Sequence, residues 1–175
     1  MTAQNLIKSP KKLIEVALPL EAINAACKAD KDRKTGTIRN LHKWFAPMPV
    51  PALRALIFAS LVDDPGDDAE RQRLLRLIEE LVASVVENPP ARVLDEAKKA
   101  IKDSVGELPT VLDPFCGSGT IPLLASWAGH TAFGSDISGA CVARSRENLA
   151  HFGQHATLVC SDAREATQQA DCSTC

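Results

Sequence analysis

Residues 111–125, VLDPFCGSGTIPLLA, constrain the fold more than any other stretch of the chain. An apolar run stops at Asp113, Gly117 and Gly119 frame Ser118, and a new apolar periodicity follows. This is the form of a strand that turns tightly into a helix, since glycine takes left-handed conformations and lets a ligand approach the main chain. The pattern then repeats. Thr110–Asp113 reads as a strand, Gly119–Ala128 as a helix with Gly129 at its C-cap, and Thr131–Ser135 as a second strand ending in Asp136. Gly139–Phe152 reads as a second helix stopped by Gly153, and Ala156–Cys160 as a third strand before Ser161-Asp162-Ala163. Strand–helix–strand–helix–strand with short links predicts an α/β unit with a parallel sheet and right-handed crossovers.

Upstream the pattern is helical. Residues 11–29 carry apolar positions at helical spacing, broken or kinked at Pro19. The polar, basic stretch 29–40 around Gly36 reads as a loop, and 41–62 packs its prolines together before releasing into a helix from about Pro51. DDPGDD, residues 63–68, is a break. Over 69–87, Leu74, Ile78, Leu81 and Val85 recur on one helical face. Asn88-Pro89-Pro90 ends that helix, with Asn88 expected to cap another over 91–104 and Gly106 to mark its exit.

A chain of 175 residues is one domain, or one domain with an appendage, and 45% apolar with 24% charged residues is an ordinary globular composition. No apolar run is long enough to span a bilayer and the N-terminus has no signal core, so the expected location is cytoplasmic, away from membranes. Residues 1–54 hold ten Lys/Arg against four Asp/Glu, a basic surplus that suits a phosphate backbone and equally a solvated face. Six cysteines without a signal peptide do not read as a disulfide framework. Cys116, Cys141 and Cys160 are expected as small buried apolar residues. Cys172 and Cys175 form a C-x-x-C with no second pair, so no metal is expected in this chain.

Three ligand classes use a glycine turn after a first strand. A phosphate-cradling loop needs a lysine after its glycines, and no lysine occurs after Lys102. A dinucleotide fingerprint needs a third glycine, and Pro122 stands there. The remaining motif, Asp-Pro-Phe-Cys-Gly-Ser-Gly-Thr, resembles the first motif of S-adenosylmethionine-dependent methyltransferases, in the form common among enzymes that methylate exocyclic amines of DNA bases. The resemblance implies a Rossmann-like methyltransferase fold, incomplete at about three parallel strands, over 109–175, preceded by a mainly helical region over 1–108.

The resemblance also implies roles. Asp113 would orient the methionine amine, with Pro114, Phe115, Gly117, Gly119 and Thr120 forming the cofactor turn. Asp136, 23 residues after Asp113, would accept the ribose hydroxyls, and Asp162 the adenine amine, with Ile137 and Ala163 packing on the adenine faces. The cofactor carries a sulfonium and an ammonium but no phosphate, which suits acids at three strand ends and no lysine clamp. Trp44-Phe45-Ala46-Pro47 resembles the element of amino-methyltransferases that closes over the methionine end, making 41–62 a lid segment and Phe45 and Pro47 cofactor contacts. Ala46 replaces the usual threonine. Residues 11–24, 35–47 and 56–65 are further similar to the opening of large bacterial and archaeal proteins described as adenine-specific DNA methylases.

Chemistry at an exocyclic amine needs [DNS]-P-P-[YFW], whose oxygens take the amine hydrogens while the ring stacks on a flipped base. Asn88-Pro89-Pro90 is followed by Ala91 and precedes the glycine turn, so it is not that motif. The expectation is therefore an N-terminal fragment of a DNA adenine methyltransferase, inactive alone, whose sheet and catalytic residues come from a C-terminal portion or a subunit. Two alternatives stand: a ribosomal or transfer RNA base methyltransferase, and a non-catalytic module that binds cofactor or a partner.

Overall fold

The computed structural model describes residues 10–33, 48–84 and 89–166. Among the described residues five helices come first: α1 (Leu13–Val16), α2 (Leu20–Asp32), α3 (Val50–Leu61), α4 (Asp68–Ala83) and α5 (Ala91–Val105). The α/β unit follows as β1 (Val111–Asp113), α6 (Thr120–Trp127), β2 (Ala132–Asp136), α7 (Gly139–His151) and β3 (Thr157–Cys160). The sheet is parallel in the order β1-β2-β3, as expected from the alternating pattern. It is the incomplete Rossmann-like arrangement, with a helical N-terminal region before it.

Pro19 explains why the first periodic run becomes two helices. It cannot donate a backbone hydrogen bond, so the run breaks over residues 17–19 and restarts with Pro19 at the N-cap of α2. The chain before α1 runs antiparallel to the chain leaving α3: Leu13 donates to Val62 O at 2.8 Å and Asp64 to Lys11 O at 2.8 Å. Lys12 Nζ closes this junction on Asp63 Oδ1 at 2.6 Å.

Helix α3 joins the two halves. It is apolar on nearly every face, and a helix of that kind must be buried on several sides. Ala55, Phe58 and Ala59 enter a helical core with Leu13, Ile23, Leu74, Ile78, Leu81, Val93 and Ile101. Val50, Leu53 and Ile57 enter a second core with Leu123, Leu124, Val142, Leu149 and Leu158 against the sheet. Burying each large apolar side chain is worth about 1.5–3 kcal/mol. The helical part of the expected lid segment, 41–62, is thus a shared core element.

Several expectations need correction. The loop expected from residue 29 starts later, because α2 continues to Asp32 with Asp30 buried and Lys31 in its last turn. Helix α5 has Pro90 at its N-cap, so Asn88 is not its cap; a proline fits there because the first N–H groups of a helix have no intrahelical partner. Cys116 and Cys141 are buried as expected, but Cys160 is exposed, at the end of a strand whose outer edge is unpaired among the described residues. Val85 to Asn88 lie outside the described residues.

Candidate ligand-binding site

The glycine turn is built by hydrogen bonds from β2 and α7. After β1, Asp113 Oδ1 accepts the N–H of Phe115 at 3.1 Å and starts the turn. Cys116 N donates to Ser135 O at 2.8 Å, and Ser135 Oγ donates to the carbonyl of Pro114 at 3.2 Å. Gly117 and Gly119 take φ of +52° and +79°, in the left-handed region that favours glycine. Gly117 N donates to Asp136 Oδ2 at 3.0 Å, while Asp136 Oδ1 takes the N–H of Ser138 at 2.9 Å. Thr120 opens α6, with its hydroxyl 3.4 Å from that of Ser118.

Pro122 stands where a dinucleotide fold would place a third glycine for close helix–strand contact. Here the close approach is made from the other side. A Cβ on Gly134 of β2 would lie 3.0 Å from Pro122 Cγ, 2.9 Å from Leu158 Cδ2 and 3.1 Å from Cys116 Cβ. The missing side chain has moved from the helix to the strand.

Register sets the acids in a staircase. Asp113 pairs opposite Gly134, two residues before Asp136, and Asp136 pairs opposite Cys160, two residues before Asp162. All three follow parallel strands, at the carboxyl edge where α/β sheets receive ligands. Asp113 is buried, which pushes its carboxyl above the usual range; the Phe115 N–H offsets part of this, and the charge of Asp136 adds to it. Asp162 binds Arg164 through both carboxylate oxygens, at 2.9 and 3.2 Å, which holds its carboxyl down at about 2. Beside these acids, Phe115 and Ile137 are 76% and 78% exposed, an unusual placement for large apolar side chains. Ala163 starts a helical turn directly after Asp162.

The structure therefore brings Asp113, Pro114, Phe115, Gly117, Gly119, Thr120, Asp136 and Ile137 into one turn and its rim. Asp162 and Ala163 follow at the next strand end. Phe45 and Pro47 lie outside the described residues, as do Cys172 and Cys175. Among the described residues no basic side chain forms an ion pair with Asp113 or Asp136, and no cluster of His, Cys, Asp or Glu is arranged for a metal. Carboxylates with free lone pairs beside an exposed apolar rim suit a hydroxylated, cationic ligand with a flat ring, and Gly117 and Gly119 are themselves buried in the turn. The carboxylates do not fit a phosphate.

Two side chains of this site escaped the sequence reading. Ser145 Oγ donates to Gly117 O and Asn148 Nδ2 to Ser118 O, both at 2.8 Å. Their signal was present: polar residues at i and i+3 between the apolar positions Val142 and Leu149 of an amphipathic helix.

A family model described as a protein of unknown function (DUF1156) matches residues 17–100, the helical half that ends before β1. The chain is also similar to a tRNA (guanine(10)-N2)-dimethyltransferase of Methanothermobacter thermautotrophicus, 43% identical over 56 residues. That match covers 31% of this chain and 17% of the relative's length. The chain is thus related to a methyltransferase over part of its length. Among the described residues no helix is long and apolar enough to cross a membrane.

Proposed function

We propose that this chain is the cofactor-binding part of an S-adenosylmethionine-dependent methyltransferase that acts on an exocyclic amine of a nucleic-acid base. The observation that carries the reading is the pair Asp113 and Asp136, acids on adjacent strand ends at the glycine turn without a basic partner among the described residues. Two neighbouring carboxylates of this kind favour a ligand that brings its own positive charge. Asp113 would take the cofactor's ammonium, and the free lone pairs of Asp136 its ribose hydroxyls. Asp162 would meet the adenine amine, between Ile137 and Ala163, while Phe45 and Pro47 would close on the methionine end. The cofactor supplies an electrophilic methyl group, and orientation of the attacking amine is the main contribution asked of the protein.

The expected substrate is the adenine amine of DNA, following the resemblance of the Trp44–Pro47 segment to amino-methyltransferases. A second reading, transfer to RNA, is favoured by the tRNA-modifying relative. Both substrates present an exocyclic purine amine. A C-terminal portion or a subunit would complete the sheet and supply the residues that receive the base.

Calorimetric titration of the folded protein with S-adenosylmethionine and S-adenosylhomocysteine tests the site. Saturable binding of both is expected, with none of ATP or NAD. A folded sample that binds neither overturns the reading. Labelled methyl transfer to DNA and to tRNA, by the protein combined with its completing polypeptide, separates the two substrates.

A further inference from the structure

Helix α7 packs directly against the glycine turn. Gly119 sits so near it that an added Cβ would lie 2.8 Å from Ser145 Cβ and 2.9 Å from Ser145 Oγ. At that distance Ser145 and Asn148 each donate to a turn carbonyl, those of Gly117 and Ser118, and both side chains are buried. Two consecutive peptide planes are therefore held by side chains from a single helix face. Because a trans peptide points its N–H opposite its C=O, fixing Gly117 O toward α7 turns the N–H of Ser118 away from it. That N–H has no hydrogen-bond partner among the described residues.

Asn148 bears on its own role. Its side chain is 2% exposed, and its Oδ1 has no hydrogen-bond partner although buried. Buried polar atoms are nearly always paired, and an unpaired one costs stability. An amide that satisfies one end and strands the other is a poor choice for the core when an apolar residue would fill the same position between Val142 and Leu149. The amide's orientation is fixed as well, since a flip would set Oδ1 against the Ser118 carbonyl.

We propose that Ser145 and Asn148 form a clamp: positioning residues, contributed by the second crossover helix, that hold the peptide planes of Gly117 and Ser118 in the ligand-competent orientation. The proposal deepens the reading of the turn as a cofactor site and rests on it. The clamp acts through the turn and touches no ligand itself.

The test compares Ser145→Ala, Asn148→Leu and Asn148→Asp with the parent protein, by calorimetry with S-adenosylmethionine, thermal unfolding and amide hydrogen exchange. Each variant is expected to weaken cofactor binding about tenfold, as loss of one buried hydrogen bond in a binding element does. Asn148→Leu should do so without lowering the melting temperature. Exchange should accelerate at Gly117 and Gly119, whose N–H groups donate to Asp136 Oδ2 and Cys116 O, while the amides of β2 keep their protection. Unchanged affinity overturns the proposal, and so does acceleration spread evenly over turn and β2, which marks a purely structural role. If the parent binds no cofactor, the cofactor reading fails, and exchange alone then decides the clamp: acceleration confined to the turn upholds it, and protection unchanged from the parent overturns it.

Discussion

The N–H of Gly117 donates to Asp136 Oδ2 at 3.0 Å, so the acid at the end of β2 is part of the glycine turn's own structure. Its other oxygen holds Ser138, the N-cap of α7. One carboxylate thus ties the first crossover to the second. Asp136→Ala strands two backbone donors and should destabilise the fold by about 1–3 kcal/mol. Asp136→Asn keeps one acceptor but sets an N–H₂ group against the other donor, and should fall between parent and alanine. Chemical denaturation of the three proteins checks the order. Cofactor affinity should drop in both variants, further in alanine.

Asp113 makes stability depend on pH. Burial raises its carboxyl above the ordinary value of 3.8, with the Phe115 N–H opposing and the Asp136 charge reinforcing. The folded protein therefore keeps the proton over a pH range in which the unfolded chain has lost it. The stability from this group is full below 3.8 and is lost as pH rises through the raised value. Asp113→Asn should flatten that slope and leave the protein more stable than the parent at neutral pH. Urea unfolding at a series of pH values measures it. Binding should run the other way: a cationic ligand favours the charged carboxylate, so affinity rises with pH through the same window in the parent and not in Asp113→Asn.

The parallel sheet, the glycine turn and the three strand-end acids were legible in the sequence because each is local. A strand, a turn and a helix within 15 residues leave a periodic trace, and an acid directly after a strand marks its end. The hydrogen bonds from Ser145 and Asn148 bridge 28 and 30 residues, and no local pattern tells which carbonyl a helix side chain will meet. Helix α3 was legible as a helix, but not as an element of two cores, because being apolar on nearly every face names no partner. Pro90 takes the cap position expected of Asn88 because side-chain capping propensity does not fix the register at which the following helix starts.

Gly134 exists for packing. Its φ is ordinary, so the only objection to a side chain is space, and that objection comes from Leu158, Pro122 and Cys116 together. Gly134→Ala should cost about 1–3 kcal/mol, the usual penalty for overfilling a packed core. Pro122→Ala removes one of the three opposing atoms, so Gly134→Ala should cost less in that background than in the parent. A double-mutant cycle from unfolding curves reads the coupling. Strict additivity would mean that Leu158 and Cys116 alone set the clash.

Arg54 on α3 closes the end of α4. Its guanidinium donates to the carbonyls of Leu81 and Ser84, groups that an α-helix leaves without an internal partner. Burial lowers the Arg54 value to about 10, with Asp30 opposing that shift, so the side chain remains charged at neutral pH. Arg54→Met keeps the apolar stem and removes the donors, and should destabilise the protein by about 1.5–3 kcal/mol, the range for hydrogen bonds to charged groups. Arg54→Lys restores charge but not the planar fork that reaches two carbonyls, and should recover only part of the loss. Because α3 also presents Val50 and Leu53 to the sheet core, loosening its grip on α4 should weaken both cores. Hydrogen exchange in Arg54→Met should therefore show faster amides in α4 and also in α6. If α4 alone accelerates, the two cores unfold independently and α3 does not couple them.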